Sequence, residues 1–501
     1  MIKIKHKIIV IGTIFLFMTM TLSSVSSFNL KNTTKVDSEI QPLWSENEVI
    51  SKYIGGDIVS CDEHSISCGA DNTVHAVYCE FPDIKYTKKD SLGTWSEPEL
   101  IPDLMEKSTS YCDGTSIDVD FQGTIHLIYS VYGEGIYYKN KAKNQPWTQK
   151  QILSEDERPG HYPKIAVSPD GSVYTTWVAV FNMTEWRLAY KGKLKGNEWS
   201  NLDIINNNVS LSGGPSIDVD LNKNVHISWC KDAKPRYMKK NSDGTWEEME
   251  DILPSSFTFQ KVVYEPCIKV DLENNVHIVF EIIEFNTIDP GDRDIGYVKK
   301  ENSMWHAIEY VSNSEGVNAR FPDMAVDRDS TAHFIWMDSF SNGAQALYRS
   351  RNSFGEWSNI EFISTYVDSL EDDQSRYEPR YPKIAIDPND FLHATWEDAT
   401  NYKEGTEPLG EFKETDIFYS SRDLNRNLGQ YKAPTIPLIV GPSRGQALIS
   451  YDYFFTSSDA NGDELYYLID WDDGITGYTD EDVSEKDWIG PFEEGEAIKV
   501  S

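Results

Sequence analysis

Basic residues are scarce in this chain relative to acidic ones. The 501 residues contain 46 Lys and Arg against 81 Asp and Glu, which gives a formal net charge of −35. A nucleic-acid-binding surface needs the opposite sign, because it must neutralise backbone phosphates. The shortage of positive charge therefore excludes a nucleic-acid partner and favours a soluble surface protein or affinity for cations.

Long apolar runs are missing beyond the N-terminus. Three lysines, an apolar run from Ile8 to about Leu22 and small residues up to Ser27 follow one another at the start of the chain. This order predicts a secretory signal at residues 1–27, since the run of about 15 residues is shorter than the roughly 20 that span a bilayer. An uncleaved anchor is the alternative. We expect a secreted or cell-surface protein with no membrane span after cleavage, and a linker at residues 28–43.

Cysteines are few, and no C-x-x-C pair occurs, which excludes the common redox and zinc motifs. Six cysteines in an exported chain can still form disulfides. Their positions on successive copies of the repeat described below favour the bridges Cys79–Cys112 and Cys230–Cys267, leaving Cys61 and Cys68 to pair locally. This is one choice among fifteen connectivities. Sequons for N-glycosylation begin at Asn32, Asn182 and Asn208.

A repeat of about 50 residues runs through most of the chain. Each copy contains P-x-I-x-V-D, a polar turn and V-H-x-x-W, in more or less complete form. The seven copies start at Ser65, Ser116, Lys164, Ser216, Cys267, Asp323 and Lys383. Ten residues after each start stands His75, His126, Tyr174, His226, His277, His333 or His393. The spacing is constant, so the copies represent one structural unit.

The unit has the pattern of a four-stranded antiparallel sheet. Apolar residues alternate in the first strand, and a turn rich in Asp, Asn and Gly follows. The second strand ends in an aromatic residue: Tyr78, Tyr129, Trp177, Trp229, Phe280, Trp336 or Trp396. The third strand carries Tyr86, Tyr138, Tyr190, Tyr237, Tyr297, Tyr348 or Tyr419. A fourth strand opens with Trp95, Trp147, Trp199, Trp246, Trp305 or Trp357 in the first six copies.

The seventh copy has no such tryptophan after Tyr419. A matching segment, residues 44–51, instead precedes the first copy and resembles residues 357–364. Pairing of this segment with the strand at Tyr419 would close a ring and remove both free edges. We therefore predict an all-β fold: a seven-bladed β-propeller at residues 44–431 closed by an N-terminal strand. An open solenoid, or six blades with a remnant, are the alternatives.

Two turns before fourth strands carry a family resemblance. Residues 90–95 (Asp-Ser-Leu-Gly-Thr-Trp) and 241–246 (Asn-Ser-Asp-Gly-Thr-Trp) resemble the Asp-box turn of sialidase-type, or BNR, repeats in exported propellers. The resemblance covers about residues 44–425 and implies the fold rather than an activity. The usual pattern is Ser-x-Asp-x-Gly-x-x-Trp. Here the turn is shorter and several copies lack the glycine, so the resemblance is to the repeat class and not to one enzyme.

The C-terminal part, residues 432–501, departs from the repeat. Prolines at its start are typical of a semi-rigid linker or a first strand. The aromatic segments that follow resemble the start of a PKD-type or fibronectin-like module, so we predict an incomplete β-sandwich, from a truncated module or a fragment. Asp459, Asn461 and Asp463 could form a calcium loop, but their order differs from the usual motif, and an acidic turn is the simpler interpretation. We expect no cofactor otherwise.

The recurrent histidines do not form a metal site in this interpretation. Copies of one repeat position are distributed around the ring and cannot share an ion. We expect them to build the blades. The recurrent aspartates should bind the backbone of the turn between first and second strands; they are Asp120, Asp220, Asp271, Asp327 and Asp387.

Binding residues are expected where the copies differ. The loops between second and third strands, and those between blades, emerge on one face and are longest in blades 5 to 7, which predicts a binding face. Residues entering first strands there, with acids after second strands, should surround the channel mouth: His161, Tyr162, Arg320, Arg380, Tyr381, Asp338, Glu397 and Asp398. Arginines and aromatics could hold an anionic sugar. The alternative is that the arginines pair with the acids and only hold loops.

Three functions are compatible with this pattern. The first is a non-catalytic surface propeller that binds a glycan or a surface protein. The second is a carbohydrate-active enzyme, either a sialidase-like hydrolase or a polysaccharide lyase with His161 or Tyr381 as base beside Arg380. The sialidase form has little support, because the resemblance implies six blades and three arginines. The third is a structural envelope component.

Overall fold

The computed structural model describes most of the repeat region and parts of the C-terminal segment. The described residues are 44–51, 61–80, 83–102, 112–154, 159–182, 185–207, 209, 214–253, 261–285, 290–312, 318–340, 343–364, 379–398 and 416–424, with the backbone of five strands between 438 and 500. All their regular elements are strands. The predicted signal (1–27) and linker (28–43) lie outside them.

Seven antiparallel sheets make up the repeat region. Blade 1 contains β2 (Cys61–Cys68), β3 (Val74–Glu80), β4 (Asp83–Lys89) and β5 (Glu99–Leu100). Blade 2 contains β6 (Cys112–Val119), β7 (Ile125–Val131), β8 (Gly135–Lys141) and β9 (Gln151–Ile152). Blade 3 contains β10 (Gly160–Val167), β11 (Val173–Asn182), β12 (Glu185–Lys193) and β13 (Asp203–Asn207). Blade 4 contains β14 (Ser216–Val219), β15 (Val225–Lys231), β16 (Lys234–Lys240) and β17 (Glu250–Asp251).

The other three blades follow the same order. Blade 5 contains β18 (Lys261–Val270), β19 (Val276–Phe285) and β20 (Pro290–Glu301), then β21 (Met304–Trp305) and β22 (Glu309–Tyr310), which both pair with β20. Blade 6 contains β23 (Arg320–Val326), β24 (Ala332–Phe340), β25 (Gly343–Arg351) and β26 (Glu361–Phe362). Blade 7 contains β27 (Arg380–Ile386), β28 (Phe391–Asp398), β29 (Asp416–Asp423) and, from the N-terminus, β1 (Glu48–Val49).

The N-terminal strand completes the last blade, as predicted. Glu48 is paired with Tyr419 and Val49 with Phe418 in antiparallel register. The Ser45 amide extends the pairing by donating to the Ser421 carbonyl at 2.7 Å. The fold is therefore an all-β, seven-bladed propeller, and the ring is closed by the segment that the displaced tryptophan indicated.

The recurrent histidines bind inside the blades. In six blades the His Nδ1 lies 2.7–2.9 Å from the hydroxyl of the third-strand tyrosine, as in His126 with Tyr138. In five blades the His Nε2 also approaches the turn aspartate, at 3.1–3.4 Å. That aspartate accepts backbone N–H groups of its own turn, as Asp120 does from Gln122 and Thr124. These residues build the blades.

The same tyrosines join neighbouring blades. Each third-strand tyrosine meets edge-on the fourth-strand tryptophan of the next blade, with ring centroids 5.0–6.1 Å apart. The pairs are Tyr86–Trp147, Tyr138–Trp199, Tyr190–Trp246, Tyr237–Trp305, Tyr297–Trp357, Tyr348–Trp44 and Tyr419–Trp95. Edge-on contact of this kind stabilises a pair beyond its buried area. The seven contacts form an uninterrupted circle.

A salt bridge accompanies most of these joints. A Lys or Arg near the end of one third strand pairs with an acid in the fourth strand of the preceding blade. The six pairs are Lys89–Glu48, Lys141–Glu99, Lys240–Asp203, Lys300–Glu250, Arg351–Glu309 and Arg422–Glu361. Between blades 2 and 3 the acid is replaced by Gln151, which accepts the indole N–H of Trp199 at 2.9 Å. The joints thus share one chemistry.

The C-terminal segment is described by its backbone only. It forms a three-stranded sheet of β30 (Leu438–Val440), β31 (Tyr453–Thr456) and β34 (Ile498–Val500), and a two-stranded sheet of β32 (Leu465–Leu468) and β33 (Trp488–Phe492). The predicted boundary at residue 432 and the acidic turn at residues 459–463 lie outside the described residues. A PKD-type or fibronectin-like module stays a prediction.

Replacement of Trp44 tests ring closure. Trp44 is buried between blades 6 and 7, against Tyr348. We expect Trp44→Ala to lower the free energy of unfolding by about 3–5 kcal/mol, because a large buried ring is lost. The measurement is urea denaturation followed by tryptophan fluorescence and circular dichroism. Phe362→Ala removes an exposed fourth-strand aromatic and should leave stability nearly unchanged. Equal stability of the two variants would contradict closure through Trp44.

Candidate functional site at the channel mouth

The first strand of most blades begins with a β-bulge where it enters the central channel. The register with the second strand shifts at His161/Lys164, Tyr264/Cys267, Arg320/Asp323 and Arg380/Lys383. Within these bulges Tyr162, Glu265, Phe321 and Tyr381 have positive φ angles of 54°, 50°, 55° and 47°. Bulky residues rarely adopt this backbone, and bulges next to binding sites re-aim side chains. We call Tyr162 and Tyr381 the mouth tyrosines.

The channel contains a cavity of about 520 Å³, within the size range of small-ligand sites. First strands of all seven blades line it. Tyr162 comes from blade 3 and Tyr381 from blade 7, three blades apart in one direction and four in the other. The two tyrosines therefore stand on opposite walls. Phe321 packs against Tyr381, with ring centroids 4.3 Å apart, and supports that wall.

The cavity wall also contains charges that interact with one another. Asp118, Asp218 and Asp323 each accept a backbone N–H from the first strand of the following blade, at 2.8, 2.7 and 3.0 Å. Lys269 lies among them. Its burial opposes its charge, but the carboxylates of Asp218, Asp323 and Asp118 outweigh burial and raise the pKa of Lys269 above its ordinary value. These side chains hold adjacent blades together by pairing N–H groups of the inner strand edges.

The upper part of the cavity contains a histidine without a hydrogen-bond partner. His64 is 3% exposed. Its nearest polar neighbours are Glu397 Oε1, 3.7 Å from Nδ1, and the backbone of Thr395, but neither ring nitrogen reaches hydrogen-bond geometry with a protein group. Burial, then Lys383 and Lys164, lower the pKa of His64 to about 3, although the Thr395 backbone raises it. Both lysines line the cavity. A buried polar group of this kind is rare and indicates a missing partner, such as a ligand or water.

The structure brings only some of the predicted site residues to this cavity. Tyr162 and Tyr381 line it, whereas His161, Arg320 and Arg380 are not among the described lining residues. Arg320 donates to Asn318 Oδ1 at 3.2 Å, and Arg380 is exposed in register with Glu397.

The predicted acids are buried behind the mouth rather than within it. Asp338 accepts the backbone N–H groups of Asn318 and Ser339, at 3.1 and 2.8 Å. Glu397 and Asp398 are buried at the end of β28 and do not belong to the described cavity wall. The predicted long loops at residues 365–378 and 399–415 lie outside the described residues.

Sequence reasoning missed His64, Lys164, Lys383, Glu265 and Lys269. A signal was present, because His64 replaces the proline that precedes five of the other repeat starts. Lys164 and Lys383 stand at starts where three copies have serine. The departures that line the cavity lie within the first strand and not in the loops.

The described cysteines are free thiols. Cys79 and Cys112 pack in one buried cluster, and a bridge between them stays a prediction. The pairing of Cys230 with Cys267 finds no support, since Cys230 packs between blades 4 and 5 while the Cys267 thiol donates to Asp323 at 3.1 Å. Cys68 lines the channel, and the side chain of Cys61 lies outside the description.

Other site predictions have little structural context. Asn32 and Asn208 lie outside the described residues, as does the side chain of Asn182. Within the described residues no group of three or more His, Cys, Asp and Glu side chains is arranged to hold a metal ion. The same residues include no helix with the length and apolarity to cross a membrane.

The fold and cavity define a seven-bladed propeller with a lined central pocket. No family model and no curated protein matches the chain. Similar solved structures include polysaccharide lyase Uly1 (TM-score 0.47, 10% identity, 78% of this chain and 94% of that chain). Others are the BP39L lectin from Burkholderia pseudomallei (0.49, 11%, 68% and 96%) and an alpha-L-arabinanase from Penicillium chrysogenum (0.41, 11%, 63% and 94%). These TM-scores are below 0.5, so function is argued from the channel residues alone.

Enlarging Gly214 tests the placement of Tyr162. A Cβ at Gly214 would lie 2.5 Å from the Tyr162 Cβ, at a φ of +47°. We expect Gly214→Ala to displace Tyr162 and to destabilise the protein by about 1–3 kcal/mol through overpacking. Gly244→Ala also lies at a positive φ, of +91°, but has open space around it. A similar thermal shift for both would show that backbone strain, and not contact with Tyr162, causes the loss.

The lowered pKa of His64 predicts acid sensitivity. An unfolded histidine takes up a proton below about pH 6.5, while folded His64 stays neutral until about pH 3, so stability falls as the pH drops through this window. Between pH 7 and 5 the contribution is about 2 kcal/mol. His64→Asn should flatten the pH dependence of urea unfolding by about this amount. His306→Asn, at a more exposed site, should not, and an unchanged slope in His64→Asn would disprove the assignment.

Proposed function

We propose that this protein is an exported propeller that binds a carbohydrate at its channel mouth, on the face of the long loops. The observation that carries the proposal is the unpartnered, buried His64 in a cavity walled by opposed tyrosines. A hydrogen-bonding group left open inside a concave pocket is what a polar ligand would complete.

The aromatic walls suit a sugar ring. Tyr162 and Tyr381 stand on opposite sides of the cavity, and each presents a flat apolar ring with a polar hydroxyl. A sugar has the matching character, with C–H groups on its faces and hydroxyls around its edge. The strained backbone of both tyrosines fixes their direction before a ligand arrives, which lowers the ordering cost of binding.

Two lysines at the mouth are the groups that would hold an acidic saccharide. Lys164 and Lys383 line the upper cavity, and both act on His64. Asp118, Asp218 and Asp323 already bind backbone N–H groups and Lys269. The net charge of −35 opposes an anion at long range, but salt screens exposed charges beyond about 8–10 Å. A carboxylate or sulfate inside the cavity would be attracted by the two lysines and opposed by Glu265, which also lines the cavity.

A protein partner and a purely structural role have weaker support. The cavity at the channel mouth is concave and encloses a small volume. Protein interfaces, in contrast, usually bury about 800 Å² of surface on each partner. A structural component would give no reason for His64 to stay without a partner. The long loops would add to either kind of surface.

A polysaccharide lyase is the second candidate. Neutral His64 or a mouth tyrosine could remove the proton beside a uronate carboxylate while the lysines offset its charge. The glycosidic C–O bond would then break to leave an unsaturated sugar, and the leaving oxygen would take up a proton from the protonated base or from water. Tyr381 is the one residue of the predicted set His161, Tyr381 and Arg380 that lines the cavity. The sialidase-like form has no equivalent, because Arg320 and Arg380 lie away from the described wall.

Several sequence-based assignments accompany this proposal. They are cleavage after residue 27, a secreted or cell-surface location, BNR-type repeats, a PKD-type or fibronectin-like module at residues 432–501, and the domain limits above. N-terminal sequencing of the exported protein tests the first two.

Tyrosine substitutions test the binding site. We expect Tyr162→Ala and Tyr381→Ala each to weaken carbohydrate binding at least about tenfold, which equals about 1.4 kcal/mol. The measurement is a glycan array followed by calorimetry on the best ligand. Tyr132→Ala is the matched control, since Tyr132 is 54% exposed in the β7–β8 turn on the same face but outside the cavity. Equal binding by all three variants would refute the site.

A separate assay tests the lyase. An unsaturated, ultraviolet-absorbing sugar product that the wild type releases and His64→Asn does not would favour the lyase.

A further inference from the structure

Two of the seven first strands begin with an identical sequence. Residues 162–166 in blade 3 and residues 381–385 in blade 7 both read Tyr-Pro-Lys-Ile-Ala, and no other repeat copy has this sequence. In each segment the tyrosine, the lysine and the alanine line the cavity. Because blades 3 and 7 stand on opposite sides of the ring, the two segments face each other across the channel with the same groups.

At other joints, side chains of one blade accept the inner-edge N–H groups of the next blade. Ser116 and Asp118 of blade 2 accept the N–H groups of Ile165 and Val167 in blade 3, at 3.4 and 2.8 Å. Blade 4 repeats this arrangement toward blade 5, with a serine and an aspartate at the same repeat positions. The first and third residues of a repeat copy therefore act as acceptors for the neighbouring sheet edge.

The two identical segments offer no acceptor at these positions. Their first residue is a lysine, which can only donate, and their third residue is an alanine. The equivalent N–H groups of the following blades belong to Ile217 and Val219 in blade 4 and to Ile66 and Cys68 in blade 1, and no described side chain accepts them. A sheet edge with such N–H groups is a concave binding place for an anion, and a neighbouring ammonium adds charge to it.

One small ligand can contact both segments. Lys164 and Lys383 both lower the pKa of His64, so both charges reach the same region of the cavity. Each lysine also interacts with other groups of the chain, but an ammonium has three N–H donors and can bind more than one acceptor. Glu265 of blade 5 lines the wall between the two segments, where it would repel an anion and accept hydroxyl groups. The wall thus has positive charge at two opposite places and negative charge between them.

We propose that the two segments are twin half-sites, and that the carbohydrate bound in the cavity carries acidic groups on two of its residues, one held at each half-site. The inference rests on the proposed function and names the class of saccharide. The lysine and the neighbouring N–H groups bind the carboxylate or sulfate, and the mouth tyrosine packs on the sugar that carries it. The half-sites differ in the residue that precedes the N–H edge, which is Pro215 in blade 4 and His64 in blade 1. This difference gives the bound saccharide a direction.

A glycan array of neutral, singly acidic and doubly acidic oligosaccharides tests the ligand class with the wild-type chain. We expect the tightest binding to members with acidic groups on two residues, at least about tenfold tighter than to analogues with one, since a hydrogen bond to a charged group is worth this much or more. Tightest binding to neutral or singly acidic members would overturn the twin half-sites and leave the proposed function intact. Binding to no saccharide would overturn both.

Serine substitutions remove each half-site while supplying the acceptor found at the other joints. Lys164→Ser and Lys383→Ser introduce the residue type that accepts an N–H group at Ser116, so the thermal midpoint should stay at or above the wild-type value. By calorimetry, each should weaken binding of the tightest doubly acidic array member at least about tenfold, and the double variant by about the product of the two losses. For the singly acidic analogue, each single variant should change affinity little, because the other half-site still binds it, whereas the double variant should lose binding.

The matched control is Lys88→Ser, which removes one positive charge from an exposed position on β4 outside the cavity. It should leave the affinity for both oligosaccharides unchanged. An unchanged affinity for the doubly acidic member in Lys164→Ser or Lys383→Ser would overturn the twin half-sites. So would an equal loss in Lys88→Ser, which would show that overall charge and not the cavity attracts the saccharide.

Discussion

The fold depends on the third-strand tyrosine of each blade, which contacts both its own blade and the next one. Within its blade the hydroxyl of Tyr419, for example, meets His393, and the ring edge meets Trp95 of the next blade. Six of the seven blades repeat both contacts, and blade 3 keeps only the aromatic one. A displaced strand in one blade would therefore weaken the packing of its neighbour. The ring is stable because every joint has the same chemistry, including the joint that uses Trp44.

The channel follows from the unpaired inner edges of seven sheets. Each first strand has a row of N–H groups that no strand covers, and side chains of the preceding blade accept several of them, such as Asp118 and Asp218. Where the first strands begin, the residue type varies between blades. His64, Lys164 and Lys383 stand there, while Asp323 at the equivalent position of blade 6 still joins two blades. The first strands thus both join neighbouring blades and line the candidate site.

The ring could be predicted from the sequence because each blade repeats its pattern at fixed spacing, and the missing seventh tryptophan identified the closing segment. The role of the histidines followed from the same symmetry. The site could be predicted only in part. The x-aromatic-Pro pattern pointed to Tyr162 and Tyr381, but not to the positive φ that their backbone adopts. The binding face that the loop lengths indicate stays a prediction. Arg320 and Arg380 share that pattern, yet the bulge directs them elsewhere, and residue types alone do not show this.

The N-terminal strand has a consequence for synthesis. Glu48 leaves the ribosome long before its partner Tyr419, which lies 371 positions later (419 − 48). Throughout that interval the first blade has no neighbour on one side, and Trp44 has no aromatic partner until Tyr348 of blade 6 has been made. Contacts so distant along the chain form slowly, since the intervening loop must close first. The nascent propeller is therefore an open array of blades. It closes into a ring only when nearly all of its blades have been made.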